Sequence, residues 1–223
     1  LCERGRWIEG ARSFDETSVT VINLNYFSVG LEMLQYLNFP SGISLVYGSP
    51  ASGKTTLCCQ LVASSPGKVI FIDTENSFNI ERVQAMNPLI DLNNVILIKA
   101  SRYSEQFAAV KSLSKVKNIS LVVVDSFTHY YRRKVQEGIV IRPPTIRMLQ
   151  MLKDLNVPVI VTSQVYSFNG ETKSIAYDLF QRFATYSIKL EQKDTMDGEK
   201  RILYVEGSPM SIPFIITDKG LTV

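Results

Sequence analysis

The segment Gly48–Thr55, with the sequence GSPASGKT, constrains the fold of this chain more than any other feature. It fits the pattern G-x-x-x-x-G-K-[ST], and it stands between an apolar run, Ile43–Tyr47, and a stretch of helical character, Thr55–Ala63. Glycines let backbone N–H groups turn toward a phosphate, and the start of a helix adds partial positive charge. The order of strand, loop and helix separates a phosphate-binding loop from an ordinary turn with a surface lysine.

The residues of this loop have distinct predicted roles. Lys54 can reach the β- and γ-phosphates of a nucleotide, and the Thr55 hydroxyl can ligate Mg²⁺. The loop therefore predicts a nucleotide site with a bound magnesium ion. The other residues of the predicted nucleotide-binding set are Gly48, Ser49, Pro50, Ala51, Ser52, Gly53 and Thr56.

Apolar runs rich in β-branched residues recur along the chain. None of them alternates with polar residues, as expected of strands that are buried on both faces. After Ile43–Tyr47, these runs are Val69–Ile72, Val95–Ile98, Leu121–Val124 and Val157–Thr162.

Helical stretches separate these runs, so the chain alternates between strand and helix. Beyond Thr55–Ala63, we expect helices around Ile80–Met86, over Ser104–Lys117 with Ser104 as N-cap, and from about Pro144 to Leu155. Such alternation predicts an α/β fold, with a mainly parallel twisted sheet flanked by helices.

The pattern changes near the C-terminus. Thr185–Gln192 alternates in polarity, and Arg201–Val205 resumes an apolar strand after a turn that contains Asp197-Gly198. This is typical of a hairpin, although we expect a connection longer than a two-residue turn. With Ile212–Thr217, it predicts antiparallel strands that extend one edge of the parallel sheet.

Polar residues at the ends of predicted strands are candidates for the chemistry of the site. Asp125 follows the apolar run 121–124, where it could orient Mg²⁺ or, alternatively, cap a helix or form a turn. Glu75 ends the strand after the phosphate-loop helix and is a candidate general base, with a solvated carboxylate as the alternative. Gln164 could sense a γ-phosphate or cap a loop.

Composition narrows the class of protein. The chain has 223 residues, of which 45% are hydrophobic and 20% charged, with a net charge of +3, so we expect a folded globular protein. No apolar run reaches 18 residues, which argues against a membrane-spanning helix. Three cysteines without C-x-x-C spacing argue against a disulfide framework and suggest a cytoplasmic protein. We expect one domain over residues 25–223, preceded by an extension of uncertain origin at 1–24.

Together, the motifs resemble the RecA/Rad recombinase superfamily and, within it, the archaeal RadB-like paralogs. The resemblance begins at about Tyr26 and continues to the end of the chain. Four segments carry it, in the order and at the spacing of that family. They are Gly48–Thr55, Ile72–Glu75, Val123–Ser126 followed by His129–Arg132, and Ser163–Val165.

The resemblance implies a RecA-type core that binds ATP with Mg²⁺ and acts in recombinational repair. It also implies that Glu75 activates water, that Gln164 senses the γ-phosphate, and that Arg82 stacks on adenine, although Arg82 could equally be a helix-surface residue. The chain departs from the full recombinases. We expect it to lack their N-terminal helical DNA-binding domain, because the predicted ATPase core begins early in the sequence. Its segment Tyr166–Arg182 is short, and Gly207 replaces the aspartate of an Asp-Ser-Pro segment. We therefore expect an accessory paralog rather than a full strand-exchange filament.

Positive charge is concentrated where the family places its first DNA-binding loop. The segment His129–Lys153 carries a net charge of +5, which leaves −2 for the remainder of the chain. Tyrosines beside basic residues suit single-stranded DNA, whereas a solvated helix face with buried tyrosines is the alternative. The predicted DNA-binding residues are Tyr131, Arg132, Arg133, Lys134 and Arg142, with Lys173, next to Phe168 and Tyr177, in a weaker second set.

Three functions are compatible with these features. The first is a slow, DNA-stimulated ATPase that assists a recombinase at single-stranded DNA, with repair proteins or further copies of the chain as partners. The second is a non-catalytic adaptor in which ATP switches protein contacts. The third is a phosphotransferase or a KaiC-like protein, because a phosphate loop alone does not select an acceptor.

Overall fold

The computed structural model of the chain describes residues 37, 39–168, 171–195 and 198–223. The predicted extension at 1–24, its boundary with the domain, and Tyr26 lie outside this range. Within the described residues, eleven strands form a nine-stranded sheet and a separate two-stranded hairpin. The strands are β1 Gly42–Gly48, β2 Lys68–Asp73, β3 Val95–Lys99, β4 Ile119–Asp125, β5 Pro158–Ser163, β6 Val165–Phe168, β7 Glu171–Ser174, β8 Ala184–Thr195, β9 Gly198–Val205, β10 Ser211–Thr217 and β11 Gly220–Thr222.

The larger sheet has the order β11-β10-β9-β8-β1-β5-β4-β2-β3. The six strands from β8 to β3 run parallel, and each of the four between these two ends pairs with a parallel neighbour on both sides. Four strands (β1, β2, β4 and β5) are buried almost throughout. The predicted mainly parallel sheet is therefore confirmed.

The antiparallel extension is also confirmed. β8 pairs antiparallel with β9, β9 with β10, and β10 with β11. The predicted long connection between β8 and β9 is wrong, since Thr195 pairs with Gly198 and only two residues separate the strands. Asp197, assigned to that turn, lies outside the described residues.

Helices cover both faces of the sheet. On one face, α1 and α2 pack with inward residues of the strands, such as Val46 and Phe71. On the other face, α3, α5 and α6 pack over Leu45 and Val124. The helices are α1 Lys54–Ser64, α2 Ile80–Met86, α3 Tyr103–Ser112, α4 His129–Gln136, α5 Arg142–Lys153 and α6 Tyr177–Phe183.

Two local predictions are wrong. The run Val95–Ile98 is not buried on both faces, because β3 is an edge strand in which Ile96 and Leu97 are each 38% exposed. Ser104 is not the N-cap of α3. The helix begins one residue earlier, and the Glu105 carboxylate accepts a hydrogen bond from the Ser101 N–H at 2.8 Å.

The last strands fold back onto the helix that follows the phosphate loop. The Gln60 side chain donates to the Leu221 carbonyl at 3.1 Å and accepts from the Leu221 N–H at 3.0 Å. A Cβ atom on Gly53 would lie 3.2 Å from Cδ1 of Ile216 in β10. The C-terminal strands thus support both the phosphate loop and α1.

None of the helices in the described part of the chain has the length and apolar character needed to span a bilayer.

Candidate functional site

The predicted site residues meet at one edge of the sheet. The phosphate loop follows β1, Glu75 follows β2, Asp125 ends β4, and Gln164 follows β5. Because parallel strands end at the same edge, residues far apart in sequence line one cleft. The cleft has a volume of about 350 Å³. It is lined by Pro50, Ala51, Gly53, Lys54, Thr55, Thr56, Glu75, Arg82, Asp125, Ser126, Gln164 and Ile216.

The loop takes its shape from two close approaches. Gly53 has a positive φ of 104°, which glycine adopts without strain. A Cβ atom on Gly48 would lie 2.2 Å from the Leu190 carbonyl oxygen and 2.6 Å from Ser52 Oγ. Ser52 is itself buried. Gly48, Ser49 and Ser52 thus form the base of the loop behind the cleft, rather than its lining.

Lys54 lies within the curve of the loop. Its Nζ donates to the Gly48 carbonyl at 2.9 Å and to the Ser49 carbonyl at 2.7 Å. Burial lowers the pKa of Lys54, while Asp125 and Glu75 oppose this shift. The ammonium group therefore lies inside the loop, where phosphate oxygens could replace the two carbonyls.

A pair of oxygen atoms provides the chemistry of a magnesium site. Thr55 Oγ1 donates to Asp125 Oδ2 at 2.6 Å, and Thr162 Oγ1 donates to Asp125 Oδ1 at 2.5 Å. Burial raises the pKa of Asp125, against the opposing effect of these two hydroxyl donors. Hydroxyl and carboxylate oxygens are the ligands that Mg²⁺ prefers, so the donor set fits the ion. Thr162, which sequence reasoning did not identify, orients the carboxylate.

Glu75 and Gln164 are hydrogen-bonded to each other. Gln164 Nε2 donates to Glu75 Oε1 at 3.2 Å, and His129 Nδ1 lies 3.3 Å from the same oxygen. The loop that carries Glu75 is held by Asp73, whose carboxylate accepts from the backbone N–H groups of Glu75, Ser77 and Phe78. Two candidate residues 89 positions apart thus form one pair beside the phosphate loop.

Arg82 and Ile216 both line the cleft. Arg82 is in the first turn of α2, whose N-cap Asn79 accepts from the Arg82 N–H at 3.0 Å. Ile216 comes from β10. An arginine and an apolar side chain together suit the two faces of a purine. No local sequence signal identifies Ile216, because its position depends on how the C-terminal strands fold back.

The basic triplet lies on α4. Arg132 and Arg133 are exposed, and Lys134 is partly buried. Arg132 donates to Gln164 Oε1 at 3.0 Å, whereas Arg133 and Lys134 pair with Glu137 at 3.3 and 2.6 Å. One cation of α4 thus contacts Gln164 at the cleft, and the other two pair with the residue that caps the end of the helix.

The tyrosines of α4 differ in their surroundings. Tyr130 is only 7% exposed, and its hydroxyl donates to the carbonyls of Ala100 and Thr74 at 2.8 and 3.2 Å. Tyr130 therefore matches the alternative of a tyrosine that is buried in the core. Tyr131 is partly buried against the same core and contacts Arg142.

The remaining DNA candidates are linked to α6. Arg142, at the start of α5, forms an ion pair with Asp178, and Lys173 of β7 lies 5.7 Å from the centre of the Tyr177 ring. The side chain of Phe168 lies outside what the structure describes. These contacts bring the two predicted DNA-binding sets to neighbouring elements, with Arg142 partly neutralised.

Comparison with known proteins places this geometry in a family. The profile of the Rad51 family matches residues 21–220. The chain belongs to the Rad51 family. The predicted RecA/Rad resemblance is thus confirmed.

Several relatives are proteins named "DNA repair and recombination protein RadB". The one from Thermococcus kodakarensis is 38% identical over 146 residues, which cover 60% of this chain and 66% of that protein. The chain therefore spans slightly less than two thirds of that relative. The one from Pyrococcus abyssi is 32% identical over 212 residues, covering 86% and 90% of the two chains.

A solved structure gives the same result for the fold. The crystal structure of the RadB recombinase superposes with a TM-score of 0.70 at 30% identity, covering 86% of this chain and 95% of that one. The RadB-like resemblance and the RecA-type architecture are confirmed by this match.

Proposed function

We propose that this chain is an accessory recombinase paralog that binds Mg-ATP, hydrolyses it slowly and binds single-stranded DNA during recombinational repair. RecA/Rad51-family recombinases are generally ATPases, and the RadB relatives are named for repair and recombination. One observation carries the proposal. Lys54, the Thr55–Asp125 pair, Glu75 and Gln164 reach one cleft from four separate strand ends.

The residues of the cleft divide the binding of ATP among them. The loop N–H groups and Lys54 bind phosphate oxygens, while Thr55 and Asp125 hold Mg²⁺. When bound, Mg²⁺ neutralises charge on the phosphates. Arg82 and Ile216, which line the cleft, would contact the adenine. Binding exchanges the Lys54 contacts with the Gly48 and Ser49 carbonyls for contacts with phosphate.

Glu75 supplies the base for hydrolysis. Its carboxylate lines the cleft and is fixed by its hydrogen bond to Gln164. A fixed carboxylate can orient a water molecule and accept its proton as the water attacks a phosphate. Gln164 donates to Glu75 Oε1, so it would couple binding of the γ-phosphate to the position of Glu75.

A single carboxylate variant tests the catalytic role. Glu75→Gln keeps the size of the side chain and removes the base, so single-turnover hydrolysis at saturating Mg-ATP should fall by about 100-fold or more, with ATP affinity maintained. Glu81→Gln is the matched control, since Glu81 is an exposed residue of α2 outside the cleft. Unchanged hydrolysis in Glu75→Gln would contradict the assignment and favour the adaptor function, in which ATP acts only as a switch.

A charge-removal experiment tests the DNA surface. We expect the triple variant R132A/R133A/K134A to bind a labelled single strand more weakly in fluorescence anisotropy. The salt dependence should decrease by about 2 in log–log slope if all three cations contact phosphates. The variant K111A/K115A/K117A removes the same charge from a different part of the molecule. Equal losses in both variants would indicate a non-specific effect of charge, and unchanged binding in the first would exclude α4.

A further inference from the structure

The geometry points to His129 and Arg132 as positioning residues that hold the Glu75–Gln164 pair in place for hydrolysis. The inference rests on the proposed ATPase function and adds to it the residues that fix the base. It makes α4, the helix with the basic triplet, part of the ATPase site.

The two side chains lie on the same side of α4. His129 is the first residue of the helix, and Arg132 follows three positions later, a spacing that places side chains on one helix face. Tyr130 between them anchors the helix, because its hydroxyl donates to the Ala100 and Thr74 carbonyls. The buried tyrosine thus fixes the start of α4 next to the loop that carries Glu75.

His129 acts on the carboxylate. Its Nδ1 lies 3.3 Å from Glu75 Oε1, the oxygen that also accepts from Gln164 at 3.2 Å. The Glu75 side chain is 32% exposed, so without these contacts it would sample several rotamers. The Gln164 donor and the adjacent His129 imidazole, both at one oxygen, restrict the carboxylate to a single orientation, as a general base requires.

Arg132 acts on the amide. Gln164 donates to Glu75 through Nε2 and accepts from Arg132 Nη1 at 3.0 Å through Oε1. A guanidinium group can only donate hydrogen bonds. The Gln164 amide is therefore held in the one orientation that directs its N–H toward Glu75. The contacts form a continuous series from Arg132 to Gln164, Glu75 and His129.

The experiment uses substitutions that move the donor at position 129. The amide nitrogen of His129→Asn can occupy the place of Nδ1, whereas that of His129→Gln extends toward the place of Nε2. We expect His129→Asn to retain hydrolysis, and His129→Gln and His129→Ala to lower kcat by about 10-fold or more, with KM for ATP unchanged. Arg132→Ala should lower kcat in the same way without DNA. Gln136→Ala, on the exposed end of the same helix, is the control.

The outcomes separate this inference from the function on which it rests. If Glu75→Gln abolishes hydrolysis but the Asn and Gln variants of His129 are equally active, the positioning role is wrong and the ATPase proposal stands. An increase in KM with kcat unchanged would also overturn it, because the residues would then act in binding. If wild type does not hydrolyse ATP, both proposals fail. Should the alanine variant not fold, the Asn and Gln variants still decide the question.

Discussion

Replacing Gly48 with alanine tests the packing that gives the phosphate loop its shape. Gly48 ends β1 and pairs there with Leu190 of β8. A Cβ atom would lie 2.2 Å from the Leu190 carbonyl oxygen, whereas ordinary carbon–oxygen contacts are about 3.3 Å or longer. The obstacle is backbone, which cannot rotate away. The strands must therefore separate by about 1 Å at this pair.

The size of the effect follows from this overlap. Overpacking costs about 1–3 kcal/mol, and a rigid backbone contact favours the upper end of that range. Alanine also lowers the entropy of the unfolded chain, which offsets about 0.5–1 kcal/mol. The expected net loss of about 2 kcal/mol corresponds to a fall in Tm of about 4–8 °C for a chain of this size.

Thermal unfolding followed by circular dichroism measures this change, and calorimetric titration measures ATP affinity, which should fall as well. Gly138→Ala is the control. A Cβ atom at position 138 would meet open space, so the only cost of Gly138→Ala to the free energy of unfolding is the strain of a positive φ, about 1 kcal/mol. An unchanged Tm for Gly48→Ala, or a Tm above that of Gly138→Ala, would show that a Cβ atom at position 48 fits between β1 and β8 without forcing them apart.

Three further changes test other parts of the site. Tyr130→Phe removes the hydroxyl that donates to the Ala100 and Thr74 carbonyls, so the free energy of unfolding measured in urea should fall by about 1–2 kcal/mol. The affinity for single-stranded DNA, measured by fluorescence anisotropy, should not change. Burial raises the pKa of Asp125, so the folded protein favours the protonated carboxyl. The stabilisation from this group is fully present below the ordinary pKa of a carboxyl, and it is lost as the pH rises through the raised pKa. Asp125→Asn should therefore raise the nucleotide-free Tm at pH 7 in scanning fluorimetry, while Mg-dependent stabilisation by ATP disappears. Because burial lowers the pKa of Lys54, ATP affinity should decline with rising pH before the ordinary lysine range is reached, as calorimetric titration would show.

Each of these three predictions can be contradicted by a specific result. Loss of single-strand affinity without loss of stability in Tyr130→Phe would show that the Tyr130 hydroxyl contacts DNA rather than the Ala100 and Thr74 carbonyls. A lower Tm in nucleotide-free Asp125→Asn would show that its hydrogen bonds outweigh the cost of the buried charge. An ATP affinity that stays constant up to the ordinary lysine range would mean that Lys54 is well solvated in the free protein.

The parallel core could be predicted because each strand carries its own apolar signal. The edge position of β3 could not, since Val95–Ile98 has the same composition as the buried runs. Its exposure follows from strand order, because β2 lies between β3 and β4, and no local pattern encodes that order. The start of α3 was missed for a different reason. Glu105 caps the preceding turn through its side chain, which made Ser104 unnecessary as a cap.

The same distinction applies to the site. Glu75, Asp125 and Gln164 could be predicted because each follows a recognisable strand. The contacts among these elements arise only in the folded chain. The bond between Gln164 and Glu75 and the pairing of Arg142 with Asp178 join segments that carry no matching sequence signals.

The return of β10 and β11 to α1 sets an order of events during synthesis of the protein. Leu221 lies 161 residues after Gln60, its hydrogen-bonding partner. At typical translation rates, about 10–30 s separate the two. Throughout that interval α1 lacks its contacts with β11, and Ile216 is absent from the cleft. The phosphate loop, encoded early in the chain, therefore gains its last supporting contacts only after β10 and β11 have been synthesised. If the chain binds ATP as proposed, full affinity would require these last strands to be in place.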